Sequence, residues 1–220
     1  MSTIPLAPLL LSLKVAGLAT VATLLLGTPI AWLLARGRFP GRAVLESIMM
    51  VPLILPPTVT GYYLLLLIGR QGPLGHVLEA TFNTGLIFTW KAAVLASTIA
   101  ALPLFIKATQ GAFEGIDRRI EDAGRTFKPI LIVWCTITLP LAWRGILAGS
   151  ILAFARAMGE FGITLMIAGS IPGRTQTLAL AIYDAVQANQ SHEANVMSIL
   201  ATAAVLAILA LVGRMTKVKY

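Results

Sequence analysis

Glu114-Gly115-Ile116-Asp117-Arg118-Arg119-Ile120-Glu121-Asp122-Ala123-Gly124-Arg125-Thr126-Phe127-Lys128 is a polar island in a chain that is otherwise mostly apolar. Glu114, Asp117, Glu121 and Asp122 supply four of the nine acids, and Arg118, Arg119, Arg125 and Lys128 four of the seventeen bases. Apolar runs lie on both sides of it. With 220 residues, 57% hydrophobic and only 12% charged, the chain lacks the polar surface to cover a soluble globule, which carries about 25% charged residues. The fold class is therefore all-α, a polytopic membrane protein, because the bilayer interior admits a backbone that satisfies its own hydrogen bonds. A membrane protein that gathers its charge into one loop exposes a surface on which a soluble partner docks.

Outward from the island, the apolar runs predict the spans. The first is about Leu9 to Leu34, closed by Arg36-Gly37-Arg38-Phe39-Pro40-Gly41-Arg42. The second, about Leu45 to Ile68, is interrupted by Pro52, Pro56, Pro57 and Gly61, and proline removes a backbone donor and clashes with the preceding turn. The third is about Leu86 to Ile106. Ile130 to Ile137 is too short to cross about 30 Å of hydrocarbon, and Leu139-Pro140 and Arg144 break the pattern. It reads as a helix lying at the interface. The fourth span is about Gly145 to Gly169 and the last about Val196 to Leu211, with a short dipping helix over Thr177 to Val186 between them. The expectation is five transmembrane helices, or six, in a single transmembrane domain over residues 1–220, with a cytoplasmic loop at about 114–140.

Basic residues choose the sides. The Arg36 to Arg42 turn, the charged island and the Arg214 to Tyr220 tail are rich in Lys and Arg, whereas the opposite loops hold only Arg70 and Arg174. The positive-inside rule then puts the N-terminus out and the C-terminus in. The formal charge of +8 is accounted for by topology and lipid headgroups. No aromatic-interleaved basic surface points to nucleic acid. Met1-Ser2-Thr3-Ile4-Pro5 lacks a positive leader region, so the first apolar segment reads as a retained helix. Cys135 is the single cysteine, and His76 and His192 have no ligand-spaced neighbours, which leaves metal chemistry without a donor set.

Glu121-Asp122-Ala123-Gly124-Arg125-Thr126, followed by Ile137-Thr138-Leu139-Pro140, resembles the cytoplasmic EAA loop of ABC importer permeases. The resemblance implies the type I permease fold and a coupling helix seated in a groove of an ATP-binding subunit. Ile116, Ile120, Glu121, Asp122, Ala123, Gly124, Arg125, Leu139 and Pro140 are its coupling-loop residues. An acidic first turn suits the helix dipole. Ile116, Ile120 and Ala123 recur at helical spacing as an apolar contact face, and Ala123 and Gly124 are small enough for close approach. The second motif position is Asp122, and the expected glycine is replaced by Phe127 or Lys128, depending on register.

A second set of residues is similar to the molybdate permease branch of that family. It comprises Pro52-Leu53-Ile54-Leu55-Pro56-Pro57-Thr58-Val59-Thr60-Gly61-Tyr62, Gly69 to Gly75, Ala157-Met158-Gly159-Glu160-Phe161-Gly162, and Ile171 to Leu178. Sulfate or thiosulfate permeases share much of this pattern, and tungstate is nearly the same anion as molybdate. Pro56, Pro57, Thr58 and Thr60 are expected to form either a packing kink or a gate. Arg156 and Glu160 share a helical face. They read either as a self-neutralising packing pair or as part of the pathway. Lys14 and Lys91 either snorkel to the interface or add positive potential for an oxyanion.

The chain has no Gly-x-x-x-x-Gly-Lys-Ser/Thr loop. The expectation is a non-enzymatic transport subunit with no cofactor of its own, ATP and Mg acting in a partner. The implied partners are a second copy of the chain, ABC ATPase subunits, a soluble oxyanion-binding protein and lipid, in a bacterial or archaeal cytoplasmic membrane. The competing reading is a stand-alone channel or secondary transporter. A membrane-embedded enzyme is disfavoured by the lack of an acid, base and nucleophile cluster.

Overall fold

The computed structural model describes residues 6–76 and 85–215, which are helical and loop structure without strands. The basic tail at 216–220 lies outside the described residues. Helix α1 is Leu6–Arg36, α2 is Arg42–Ile54 and α3 is Pro57–Ile68. Helix α4 is Trp90–Glu114 and α5 is Arg118–Arg125. Helix α6, Ile130–Val133, passes through a π-helical turn at Trp134–Thr138 into α7, Leu139–Met158. Helices α8 (Gly162–Ala168), α9 (Leu178–Gln187) and α10 (Ser191–Met215) complete the order.

Four helical segments are long and apolar enough to cross a membrane: α1, α4, the continuous Ile130–Met158 helix, and Ser191–Ile208 within α10. Helices α2 and α3 make a fifth if counted as one broken span, bent by 112°. This is the expected break. Pro56 and Pro57 follow the end of α2, and Pro57 opens α3, where its missing N–H has no helical partner to lose. Helix α9, at ten residues, reaches about 15 Å and is too short for a sixth span.

Helix α4 is the axis of the bundle. In its membrane window 61% of residues are buried, against 28% or less in the other long spans. The cause is composition: Ala92, Ala93, Ala96, Ala100 and Ala101 let neighbouring backbones approach. Phe105 fills the remaining gap. A β-carbon at Gly27 of α1 would come 2.5 Å from its ring, and one at Gly149 of α7 would come 2.8 Å from the Thr109 hydroxyl. The three long helices therefore interlock through glycines facing one phenylalanine and one threonine.

Two expectations require correction. Ile130 to Ile137 is not a separate interfacial helix; it is the first part of a 29-residue helix ending at Met158. The Leu139-Pro140 break is absorbed because Pro140 falls in the first turn after the π segment, where the wider winding relieves the ring. The fourth span accordingly begins earlier than Gly145 and ends at Met158 instead of Gly169. Gly159 terminates it, and α8 is a separate short helix. The third span also runs further than expected, through Lys107 to Glu114.

Candidate functional site

Helix α5 has only eight residues, too few to be stable alone. Its ends are defined locally: the Asp117 carboxylate accepts from the Arg119 N–H at 2.9 Å, an N-cap. Its placement comes from α1. Arg36, the last residue of α1, donates from Nη2 to the Ile116 carbonyl at 2.9 Å. Arg118 reaches back to the Ala35 carbonyl at 3.3 Å.

The two faces of α5 differ in kind. Glu121 points inward and is 2% exposed. Its Oε2 lies 2.9 Å from Arg36 Nε, and its Oε1 accepts from the Thr138 hydroxyl at 2.9 Å. Gly124 shares this face: a β-carbon there would sit 2.7 Å from Ile137 and 3.3 Å from Val133. The expectation that Gly124 leaves room for a partner is therefore corrected. The space is taken by the chain's own π segment. Ile116 and Leu139 also pack inward, against the cluster of Leu34, Ile106 and Phe113.

The outward face carries Ile120, Asp122, Ala123 and Arg125, all exposed, and Pro140 is exposed as well. Beyond the end of α5, Phe127 is 87% exposed, with Ile130 and Leu131 beside it in sequence and also exposed. Phe127, which in one register of the motif stands where glycine is expected, is the most exposed large apolar side chain described. Ile120 and Ala123 lie on α5 and Phe127 in the turn just after it, so the exposed apolar residues are Ile120, Ala123 and Phe127, whereas Ile116 packs inward. Arg36, Thr138 and Phe127 were not among the expected contact residues. Thr138 lies within the Ile137-Thr138-Leu139-Pro140 stretch and Phe127 is one of the two residues that replace the motif's glycine, whereas Arg36 carries no such signal.

The membrane motifs meet at α3 and α8. Glu160 is 2% exposed; its Oε2 lies 2.8 Å from Arg156 Nη1, and its Oε1 accepts from the Ile163 N–H at 2.8 Å, which caps α8. Two residues on, a β-carbon at Gly162 would come 2.6 Å from Pro57, and one at Gly61 would come 2.7 Å from Met166. The proline break and the Glu160-Phe161-Gly162 turn are thus one packed unit. Pro56, Pro57 and Thr58 are exposed, whereas Thr60 is buried. Helix α2 is held to α4 by ion pairs, Lys107 with Glu46 and Arg42 with Glu114.

On the opposite side of the molecule in the expected topology, a cleft of about 460 Å³ is lined by Arg70, Thr89 and Arg174, with Phe88 in a left-handed conformation at φ 57°. Lys14 lies 4.0 Å from the centre of the Trp90 ring, a cation–π contact at the start of α4.

Residues 27–218 match the family model described as "Binding-protein-dependent transport system inner membrane component". The chain is 46% identical to the Molybdenum transport system permease protein ModB of Escherichia coli (strain K12), over 81% of this chain and 78% of that one. It is 42% identical to the protein of the same name from Haemophilus influenzae, over 83% of this chain and 80% of that one. The corresponding protein of Azotobacter vinelandii is 40% identical, over 86% and 84%.

Proposed function

We propose, on the premise that the chain belongs to the family of binding-protein-dependent transport system inner membrane components, that it is the permease of an ATP-driven molybdate importer. It works as a homodimer with the pathway along the dimer axis. ATPase subunits bind the two copies of the α5 loop from the cytoplasm, with the N-terminus of the permease outside and its C-terminus inside. A soluble binding protein delivers the oxyanion to the outer loops around Ser170 to Ala194. The chain is not an enzyme; ATP and Mg act in the partner. Closure of the ATPase dimer draws the coupling helices together and opens the pathway outward, and hydrolysis resets it.

The observation that carries this reading is the two-faced α5. Glu121 and Gly124 fix the helix to the permease, and Ile120, Ala123 and Phe127 are left bare on the outside. An exposed aromatic flanked by apolar residues on a charged loop is a surface awaiting a groove. The names of the relatives support molybdate as the cargo. In the membrane, Gly162 packs closely on Pro57 and joins α3 to α8, and the Arg156–Glu160 pair, one quarter and one hundredth exposed at its side chains, borders this contact.

The test is reconstitution into liposomes with the partner ATPase and binding protein. Uptake of molybdate is expected only with ATP and all components. Competition by tungstate but not by sulfate is the expected selectivity. Equal competition by sulfate would move the cargo assignment to the sulfate branch.

A further inference from the structure

Helix α5 receives force from outside and is too short to transmit it through its own stiffness. Its covalent links are a loop through Gly115 to α4 and a loop through Phe127 to α6. The non-covalent links are more specific. Glu121 spends both carboxylate oxygens on two different elements, Arg36 at the end of α1 and Thr138 at the end of the π turn. Glu121 and Thr138 are buried, Thr138 at 1% exposure, and the Arg36 side chain is 9% exposed. The π turn brings Thr138 there: Leu139 N–H bonds to the Trp134 carbonyl five residues back, and that wider winding lets Val133, Ile137 and Thr138 all face α5. A buried carboxylate held at two points is stiff in both directions, because losing either contact leaves charge or a polar group without a partner in a low-dielectric interior.

We infer that Glu121 is a positioning residue that latches the coupling helix to α1 and α7, so that displacement of α5 moves both spans as one body. Phe127 and Ile120 meet the partner; Glu121, Arg36 and Thr138 convert that contact into motion of the bundle. The inference rests on the importer reading above. It differs in its prediction: damage to the latch leaves the docking face intact, so ATP hydrolysis continues while transport fails.

The experiment is a reconstituted complex of permease, ATPase and binding protein in liposomes, with molybdate uptake and phosphate release measured on the same preparation. Their ratio does not depend on how much protein folds. In Glu121→Gln, ATPase subunits are expected to co-purify with the permease as in wild type, while molybdate moved per ATP falls about tenfold. Thr138→Val keeps the ion pair and removes only the hydroxyl, and should lower the ratio by a smaller factor. The swapped pair, Arg36→Glu with Glu121→Arg, should recover part of it. An unchanged ratio in Glu121→Gln would overturn the latch, as would loss of docking in proportion to transport. Should Glu121→Gln fail to assemble, an unchanged ratio in Thr138→Val would do the same. Wild-type uptake without the ATPase would instead overturn the underlying importer reading.

Discussion

Among the described residues, two Arg–Glu pairs bury their carboxylates, and they are built in opposite ways. Arg156–Glu160 is local: one helical turn separates the partners, and the spare carboxylate oxygen caps the next short helix. Arg36–Glu121 is tertiary: it joins the end of the first span to the charged island, and its spare oxygen takes the Thr138 hydroxyl from a third element. The local pair holds a bend together. The tertiary pair holds three separate elements in register. A carboxylate buried to the same degree therefore does different work depending on how far along the chain its partners lie.

Substitutions that separate the two pairs sharpen this contrast, and thermal unfolding in detergent ranks them. Arg36→Leu leaves Glu121 as an uncompensated buried charge and should cost most, about 3–5 kcal/mol. Glu160→Leu costs less, about 2–3 kcal/mol. It orphans the Ile163 N–H, but Arg156 is partly open and keeps some solvation. Gly162→Val drives a side chain into Pro57 and should cost about 1–3 kcal/mol by overpacking. Phe127→Ala removes an exposed ring, so stability should stay within about 0.5 kcal/mol of wild type. Binding of the ATPase subunit, measured by titration, should nevertheless weaken about tenfold. If Arg36→Leu proved milder than Glu160→Leu, the distinction between the pairs would fail.

The sequence made the local pair legible and hid the tertiary one for the same reason. Spacing of four reports a shared helical face directly. Nothing in the periodicity connects Arg36 to Glu121, and Arg36 reads naturally as a topology-setting base beside Arg38 and Arg42. Hydropathy located the regions of the four long spans, the broken α2–α3 pair and the short helix near Thr177 to Val186, since lipid exposure demands long apolar runs. It misjudged Ile130 to Ile137, because a proline after eight apolar residues resembles a stop. A π turn that accommodates Pro140 leaves no compositional trace. The residues of the charged island carry the resemblance, but a motif does not state which face is inward. Gly124 is expected to leave room for a partner, but it packs against Val133 and Ile137 and Glu121 against Arg36, which leaves Ile120, Ala123 and Phe127 as the exposed apolar residues.

Underlying these comparisons is the claim that the charged island is where an ATPase drives this permease. The most direct measurement is molybdate uptake into liposomes containing the permease and its binding protein, with the ATPase subunit added or withheld. Uptake that requires both the ATPase and hydrolysable ATP, and that falls in Phe127→Ala, is the predicted result. Uptake at the same rate without the ATPase subunit would contradict it.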